Sequence, residues 1–317
     1  MTDGTRGKVL LATNKTDNAL WVDLLGRTGR EVVTAPDGAE DPSIHYAVAW
    51  HQPHGVLGNL PNLKAIFSLG AGVDHVLRDP TLPDLPIVRV VSENLAQHMA
   101  EYVTWRVLDH HRRGAQYQRQ QAAGDWNELT QPTSAETSVG FMGIGELGRT
   151  AARAVGSLGF KLNGWSRRPA DVPDMTTYAG AEGLPDFLAS TDILVVLLPL
   201  TDATRGIITY DLLRQLRRDN AIGGSVLINA GRGGLHREAD ILRALEDGSL
   251  GEASLDVFET EPLPEASPLW QHPKVFVTPH AAAPSDPRAI TMPMLEQMDA
   301  YDRGEPLQNL VDRAAGY

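Results

Sequence analysis

One six-residue turn constrains the fold of this chain more than any other feature. The segment GIGELG, residues 143–148, follows the apolar run SVGFM and precedes RTAARAV, whose apolar spacing is typical of a helix. Glycines at these positions allow a tight strand-to-helix turn and let the backbone approach a pyrophosphate at the helix N-terminus. The turn predicts a dinucleotide site lined by Gly143, Gly145, Glu146, Leu147 and Gly148. A glycine-rich turn that holds no ligand is the alternative.

Short apolar runs alternate with helical segments in two series. The first series is KVLLAT (8–13), EVVTA (31–35), YAVAW (46–50), LKAIFSLG (63–70) and IVRVV (87–91). The second is TSVGFMG (137–143), FKLNGWS (160–166), DILVVLLP (192–199), SVLINAG (225–231), GEASLDVF (251–258) and KVFVTPH (274–280). Parallel strands covered by helices on both faces have this pattern. We therefore predict an α/β fold with two doubly wound domains.

The sequence predicts three helices whose ends or buried faces can be specified. A long one covers about Asn94 to Gln121, with Met99, Val103, Arg106 and Val107 on one face, and could connect two domains or pair two subunits. A second, READILRALED, is closed by Gly248. The last covers about Pro293 to Arg303, with Met292, Leu295 and Met298 as core contacts.

Composition excludes several classes of function. The formal net charge of -12, without a basic run, argues against a nucleic-acid or anionic-membrane surface. The chain has no cysteine, which excludes disulfides, thiolate nucleophiles and cysteine-ligated zinc. The longest apolar run, ILVVLLPL (193–200), is too short to span a bilayer. We expect a soluble, cytoplasmic protein. The pairs His51/His54 and His110/His111 are poorly spaced for a metal, so none is predicted.

Charged side chains follow three of the predicted strands. Arg232 comes after SVLINAG, Asp256 lies at the end of the next strand with Glu261 beyond it, and His280 ends VFVTPH. Open α/β sheets bind ligands beyond the carboxyl ends of their strands, so we expect these groups to converge. A guanidinium matches a carboxylate in bidentate fashion, and a histidine beside a glutamate can donate a proton. A structural ion pair for Arg232 and a rim position for His280 are the alternatives.

Several motifs, taken with the glycine turn, resemble the D-isomer-specific 2-hydroxyacid dehydrogenase family over nearly the whole chain. They are LGAGVD (69–74), NAGRGG (229–234), DVFETEPLP (256–264), PLW (268–270) and TPH (278–280), while AWHQP (49–53) is typical of a branch that reduces glyoxylate and hydroxypyruvate. The resemblance implies a Rossmann cofactor domain, 99–280, inserted into a flavodoxin-like substrate domain, 1–98 plus 281–317. The resemblance also implies a homodimer.

The same resemblance implies roles for individual residues. Arg232, Glu261 and His280 would be catalytic, with Glu259 a nearby residue that does not take part. Substrate would contact Arg232 and the following residues: Trp50, Leu69, Gly70, Ala71, Gly72 and Trp270. Cofactor contacts would include the glycine turn, Leu198, Pro199, Thr204, Ala230, Gly231, Asp256, His280 and Ala282. From the residues alone, LGAG is equally well a plain turn, and Trp50 equally well a packing residue.

The end of the strand FKLNGWS indicates which dinucleotide is preferred. NAD-specific proteins place an Asp or Glu there, against the ribose 2′-hydroxyl. Here Ser166, Arg167 and Arg168 occupy the stretch, and guanidinium groups suit a 2′-phosphate. We expect NADPH to be preferred and NADH to bind with lower affinity, although a solvated turn is the alternative.

The expected activity is reduction of glyoxylate or hydroxypyruvate to the 2-hydroxy acid. A dehydrogenase for a different 2-hydroxy acid is one alternative. A dinucleotide-sensing protein similar to the C-terminal-binding-protein corepressors is another, because these resemble the family in fold and in the Arg/Glu/His set. Formate dehydrogenases are disfavoured, since they pair the histidine with glutamine where this chain has Glu261.

Overall fold

The computed structural model describes residues 6–14, 17–37 and 40–317. The chain divides into two compact units. The first runs to Asn94 and includes Ser285–Tyr317; the second is Leu95–Pro284. Each unit is built on a parallel sheet with helices, so the predicted α/β class is confirmed.

The described residues of the first unit form five strands: β1 (Lys8–Thr13), β2 (Val32–Thr34), β3 (Ile44–Trp50), β4 (Ala65–Ser68) and β5 (Ile87–Val88). Their order is β2-β1-β3-β4-β5, and all pairs are parallel, which is the flavodoxin-like arrangement. Helices α1 (Ala19–Gly26) and α2 (Asp74–Leu77) follow β1 and β4. Both faces of β1 are covered, because four successive residues from Val9 to Ala12 are buried. This explains the unbroken apolar run in the sequence.

The second unit has seven parallel strands. They are β6 (Ser138–Met142), β7 (Lys161–Ser166), β8 (Thr176–Ala179), β9 (Ile193–Val196), β10 (Val226–Asn229), β11 (Glu252–Leu255) and β12 (Val275–Val277). Their order is β12-β11-β10-β9-β6-β7-β8, a Rossmann sheet extended by one strand. The helices are α3 (Glu93–His111), α4 (Gly114–Ala123), α5 (Glu146–Gly156), α6 (Gly180–Ala189), α7 (Tyr210–Leu213) and α8 (Glu238–Glu246).

The strand β8 was missed by the sequence prediction, which gave six strands in this series. Its sequence, TTYA, has no apolar run, and none of its residues is fully buried. It lies at the edge of the sheet and pairs only with β7. Such a strand lacks the two-sided burial that makes the central strands recognisable.

The long helix predicted from Asn94 to Gln121 is wrong, because two helices occupy this stretch. Arg113 has a φ of 59°, in the left-handed region, and separates α3 from α4. The predicted buried face is confirmed, since Met99, Val103, Arg106 and Val107 are all buried on α3. Gly248 has a φ of 77° just after α8, as predicted for a helix end.

The last helix, α9 (Pro287–Asp302), begins earlier than predicted. Asp286 is its N-cap and accepts a hydrogen bond from the Arg288 amide at 2.9 Å. Because the helix begins directly after this cap, Pro293 lies inside it and not at its start. Leu295 and Met298 are buried as predicted. The core assignment of Met292 is wrong, because this side chain is 41% exposed on the outer face.

Within the residues that the structure describes, no helix is long and apolar enough to cross a membrane. The same residues contain no group of three or more His, Cys, Asp or Glu side chains arranged to hold a metal ion.

Candidate active site

The glycine turn joins β6 to α5 as the sequence predicts. Gly143 has a φ of 107°, and a Cβ there would lie 2.8 Å from the Leu197 backbone. A Cβ on Gly148 would lie 2.0 Å from the Gly143 carbonyl oxygen. Only glycine fits at these two positions. A Cβ on Gly145, by contrast, would meet nothing within 4 Å, so this glycine borders open space.

The turn suits an anionic group at that open side. Gly145 is the N-cap of α5 and has no side chain to accept the first amide N–H groups of the helix. The helix dipole adds partial positive charge at the same place. Glu146 is exposed and Leu147 half-buried at the start of α5. The residues present therefore fit a dinucleotide pyrophosphate.

The stretch after β7 is the one that the sequence predicts to contact the adenosine ribose. Ser166 ends β7, and its hydroxyl donates to the Arg168 carbonyl at 2.7 Å. Arg167 and Arg168 are both exposed. This hydrogen bond folds the turn back on itself at the strand end, beside the two exposed arginines.

Other predicted cofactor residues form the loops after β9 and β10. Leu198 is buried, and the Thr204 hydroxyl closes its loop by donating to the Pro199 carbonyl at 2.7 Å. Ala230 is buried beside Gly231, whose amide donates to Asn229 Oδ1 at 3.0 Å. These loops lie at the same carboxyl edge of the sheet as the glycine turn.

Arg232 directly follows this loop and is held by two residues that sequence reasoning missed. Asn229 Nδ2 donates to the Arg232 carbonyl at 3.1 Å and lies 2.7 Å from His236 Nδ1. Burial lowers the pKa of His236 to about 4, so the ring is neutral at pH 7 and Nδ1 accepts. Arg232 Nη1 donates to the Gly231 carbonyl at 2.9 Å. Asn229 could have been found as the polar residue that ends an apolar strand.

Glu261 and His280 form a hydrogen-bonded pair. Glu261 Oε2 lies 2.7 Å from His280 Nδ1, and Glu261 Oε1 accepts the Phe258 amide at 3.0 Å. Burial would raise the pKa of Glu261, but the bonds from His280 and Phe258 and the charges of His280 and Arg232 lower it. The pair therefore joins an ionised carboxylate to Nδ1 of the imidazole ring.

Glu259 lies only two residues from Glu261 but has another role. Its carboxylate accepts the Glu238 amide at 3.1 Å, and the Glu238 carboxylate accepts the Glu259 amide at 3.0 Å. This reciprocal pair ties the loop after β11 to the first turn of α8. Glu259 is thus engaged away from His280.

Asp256 supports the loop that carries His280. Its carboxylate accepts the Thr278 hydroxyl at 2.6 Å and the amides of Ala281 and Ala282 at 2.8 and 3.0 Å. Asp256 and Ala282 are buried. The predicted cofactor contact of Asp256 stays a prediction, but its carboxylate has clear partners within the protein.

The remaining residues predicted to bind substrate come from both units. In the first unit, Trp50 ends β3 and packs on Gly70, where a Cβ would lie 2.4 Å from the indole ring. The Trp50 ring lies 4.6 Å from that of His75, a neighbour that the sequence did not indicate. In the second unit, Trp270 is half-exposed and its Nε1 donates to the Pro264 carbonyl at 3.0 Å.

The glycine-rich turn after β4 is only partly available as an anion site. The Leu69 amide donates to the Ala49 carbonyl at 3.1 Å, and the Gly70 amide donates to Ser68 Oγ at 3.2 Å. Ala71 and Gly72 are half-buried. An anion would therefore depend on Ala71 and Gly72 more than on the first two residues.

The Rossmann sheet, the glycine turn and the paired Glu261 and His280 define an NAD(P)-dependent oxidoreductase. Residues 104–282 match the model of the D-isomer specific 2-hydroxyacid dehydrogenase NAD binding domain. The chain belongs to the D-isomer-specific 2-hydroxyacid dehydrogenase family.

Relatives match along nearly the whole chain. A glyoxylate/hydroxypyruvate reductase A of Serratia proteamaculans is 38% identical over 90% of this chain and 91% of its own. A glyoxylate/hydroxypyruvate reductase A of Citrobacter koseri is 39% identical over 95% of this chain and 97% of its own. The structure of an NADPH-dependent glyoxylate/hydroxypyruvate reductase of Sinorhizobium meliloti, in complex with NADP and sulfate, is 43% identical with a TM-score of 0.92 and covers 98% of this chain and 100% of its own.

A 2-hydroxyacid dehydrogenase of Xanthobacter autotrophicus, in complex with NADPH and MES, is equally similar in fold. It is 38% identical, with a TM-score of 0.92, and covers 98% of this chain and 100% of its own. The resemblance stated from the motifs is thereby confirmed.

Proposed function

We propose that this protein reduces small 2-oxo acids, glyoxylate and hydroxypyruvate, to 2-hydroxy acids with NADPH as the hydride donor. The 2.7 Å contact between Glu261 and His280 carries the proposal, because it provides a proton donor at the carboxyl edge of the sheet. The names of the relatives and the NADP or NADPH in two of the similar structures support the substrate and cofactor.

His280 is the proposed proton donor. Because Nδ1 bonds the Glu261 carboxylate, Nε2 is the atom that gives its proton to the carbonyl oxygen. After this transfer the ring keeps the Nδ1 proton that the carboxylate requires. Bound NADPH would supply the hydride to the carbonyl carbon.

Arg232 is the proposed binding group for the substrate carboxylate. Its guanidinium can form two parallel hydrogen bonds with a carboxylate and polarise the neighbouring carbonyl. Asn229 bonds both the Arg232 carbonyl and His236, and these contacts hold the loop. The backbone from which the Arg232 side chain extends is therefore fixed. Trp50, Leu69, Gly70, Ala71, Gly72 and Trp270 are the further substrate residues that we propose.

The cofactor would be held along the carboxyl edge of the second unit. The glycine turn would hold the pyrophosphate, and Ser166, Arg167 and Arg168 the 2′-phosphate. The further proposed contacts are Leu198, Pro199, Thr204, Ala230, Gly231, Asp256, His280 and Ala282. NADH would bind with lower affinity because it lacks the 2′-phosphate.

A corepressor-like binding function is not favoured, because the relatives matched over most of the chain are named as reductases. We further propose a homodimer and a cytoplasmic location. Trp105 on α3 is 49% exposed and Trp126 is 99% exposed, and these two side chains offer apolar surface to a second copy.

Replacing Arg232 with alanine tests the proposed activity. In Arg232→Ala we expect a higher KM for glyoxylate and a lower kcat, with kcat/KM reduced by about 100-fold or more, since a charged, bidentate contact is lost. The KM for NADPH should change little. Steady-state kinetics measure all three values. Near-normal kcat/KM in the variant would contradict the assigned role, and wild-type protein that turns over neither 2-oxo acid would contradict the function itself.

Glu261→Gln tests the carboxylate beside the proposed proton donor. Burial would raise the pKa of Glu261, but the hydrogen bonds from His280 and Phe258 hold it below its usual value, so Glu261 is ionised at neutral pH. The glutamine variant keeps the shape of the side chain and removes its charge, so kcat for glyoxylate at pH 7 should fall roughly 10-fold. A matched Glu259→Gln variant should keep the wild-type kcat. Steady-state kinetics give both values, and wild-type kcat in Glu261→Gln would exclude the electrostatic role.

Arg167→Ala tests the choice of cofactor. A charged hydrogen bond to phosphate contributes about 1.5–3 kcal/mol, so NADPH affinity should fall about 10- to 150-fold while NADH affinity barely changes. Arg153→Ala removes an equally exposed arginine from the far end of α5 and should leave both affinities unchanged. Fluorescence titration gives both dissociation constants. Wild-type preference for NADH, or equal weakening of both cofactors, would refute the assignment.

A further inference from the structure

A chain of hydroxyl groups connects α3 with the loop that carries His280. The Tyr102 hydroxyl lies 2.9 Å from Thr278 Oγ1, and Thr278 Oγ1 donates to Asp256 Oδ1 at 2.6 Å. Because a carboxylate only accepts, the Thr278 proton points to Asp256 and its lone pairs face Tyr102. The Tyr102 O–H is therefore the donor that begins the chain.

Asp256 is the point at which this loop is held. Besides the Thr278 hydroxyl, its side chain accepts the amides of Ala281 and Ala282, and its carbonyl accepts the His280 amide at 2.8 Å. Asp256 is 1% exposed, so these bonds form away from water. Four donors between residues 278 and 282 thus converge on one buried residue.

His280 needs this support because of its backbone. Its φ is 53°, in the left-handed region that residues other than glycine rarely adopt. Such a conformation persists only where surrounding contacts hold it. The hydrogen bonds to Asp256 flank His280 on both sides and fix the direction in which its side chain leaves the backbone.

We propose that Tyr102 is a positioning residue for His280, acting through Thr278 and Asp256. This inference rests on the proposed function of His280 as proton donor. Without the Tyr102 hydroxyl, the Thr278 hydroxyl loses the donor that orients it. Thr278 can then adopt rotamers that do not form the hydrogen bond to Asp256. The loop then samples other positions, and proton transfer is sensitive to displacements of about 1 Å.

Tyr102 is suited to act as a constant donor. It is 7% exposed, and burial raises its pKa to about 12, so the hydroxyl stays protonated throughout the pH range of an assay. Its ring packs edge-on against Trp105 at 5.9 Å, and Trp105 packs against Phe276 on β12 at 5.3 Å. These contacts keep the ring in place when only the oxygen is removed.

Tyr102→Phe removes only the hydroxyl oxygen. We expect kcat for glyoxylate to fall about 3- to 10-fold, the effect of one hydrogen bond, with the KM values for glyoxylate and NADPH within twofold of wild type. Tyr117→Phe is the matched control, because its hydroxyl accepts the Leu129 amide at 3.2 Å and is not connected to Asp256. This control should retain wild-type kcat.

Variants of Thr278 separate positioning from a general loss of stability. Thr278→Ser keeps the hydroxyl and should retain most of kcat, whereas Thr278→Val should lower it at least as much as Tyr102→Phe. Because Tyr102 acts through Thr278, adding Tyr102→Phe to Thr278→Val should lower kcat no further. A purely structural role would give additive losses of kcat and of thermal stability.

Three outcomes would overturn the inference: wild-type kcat in Tyr102→Phe, losses in the two variants that multiply in the double variant, or a rise in the KM for NADPH as large as the fall in kcat. If wild-type protein turns over neither glyoxylate nor hydroxypyruvate, the proposed function fails first, and the assigned role of Tyr102 fails with it. A wild type that is active and a Tyr102→Phe variant that is unaffected would refute only the role of Tyr102.

Discussion

Parallel pairing places every strand of the second unit with its carboxyl end at one edge of the sheet. All of the proposed chemistry depends on this constraint. The glycine turn leaves β6 at that edge, Arg232 follows β10, Asp256 follows β11, and His280 follows β12. Residues separated by more than a hundred positions in sequence thus become neighbours without any local signal that pairs them.

Polar contacts then convert this arrangement into a defined site. Glu261 holds His280 through its Nδ1 atom, while Asp256 holds the backbone of the same loop. Asn229 and His236 do the same for the loop of Arg232. The loops that carry Arg232 and His280 therefore each have a separate buried support, which keeps their geometry fixed before substrate arrives.

Sequence alone was sufficient where a pattern is local. The run KVLLAT became β1 with the predicted bounds, and the turn at Gly143–Gly148 lies between a strand and a helix. Buried central strands and sterically constrained glycines can be recognised in the sequence. The half-buried edge strand β8 and the helix break at Arg113 cannot be recognised in this way, since one has no apolar run and the other depends on a single backbone angle. The flavodoxin-like order of the first sheet followed only from the family resemblance.

The site was predictable in its charged residues but not in their supports. Glu261 could be told from Glu259 only through the resemblance, and the structure places Glu261 alone of the two against His280. Tyr102 and Thr278 are 176 positions apart, so no spacing rule could connect them. Long-range polar pairs of this kind require the fold.

Rapid-kinetic analysis of His280→Gln tests the central claim most directly. The measurement is the single-turnover rate of NADPH oxidation with glyoxylate, together with the NADPH dissociation constant of the same variant. If His280 is the proton donor, the rate falls by about 100-fold or more while NADPH binds as in wild type. A variant that keeps the wild-type rate would contradict the account.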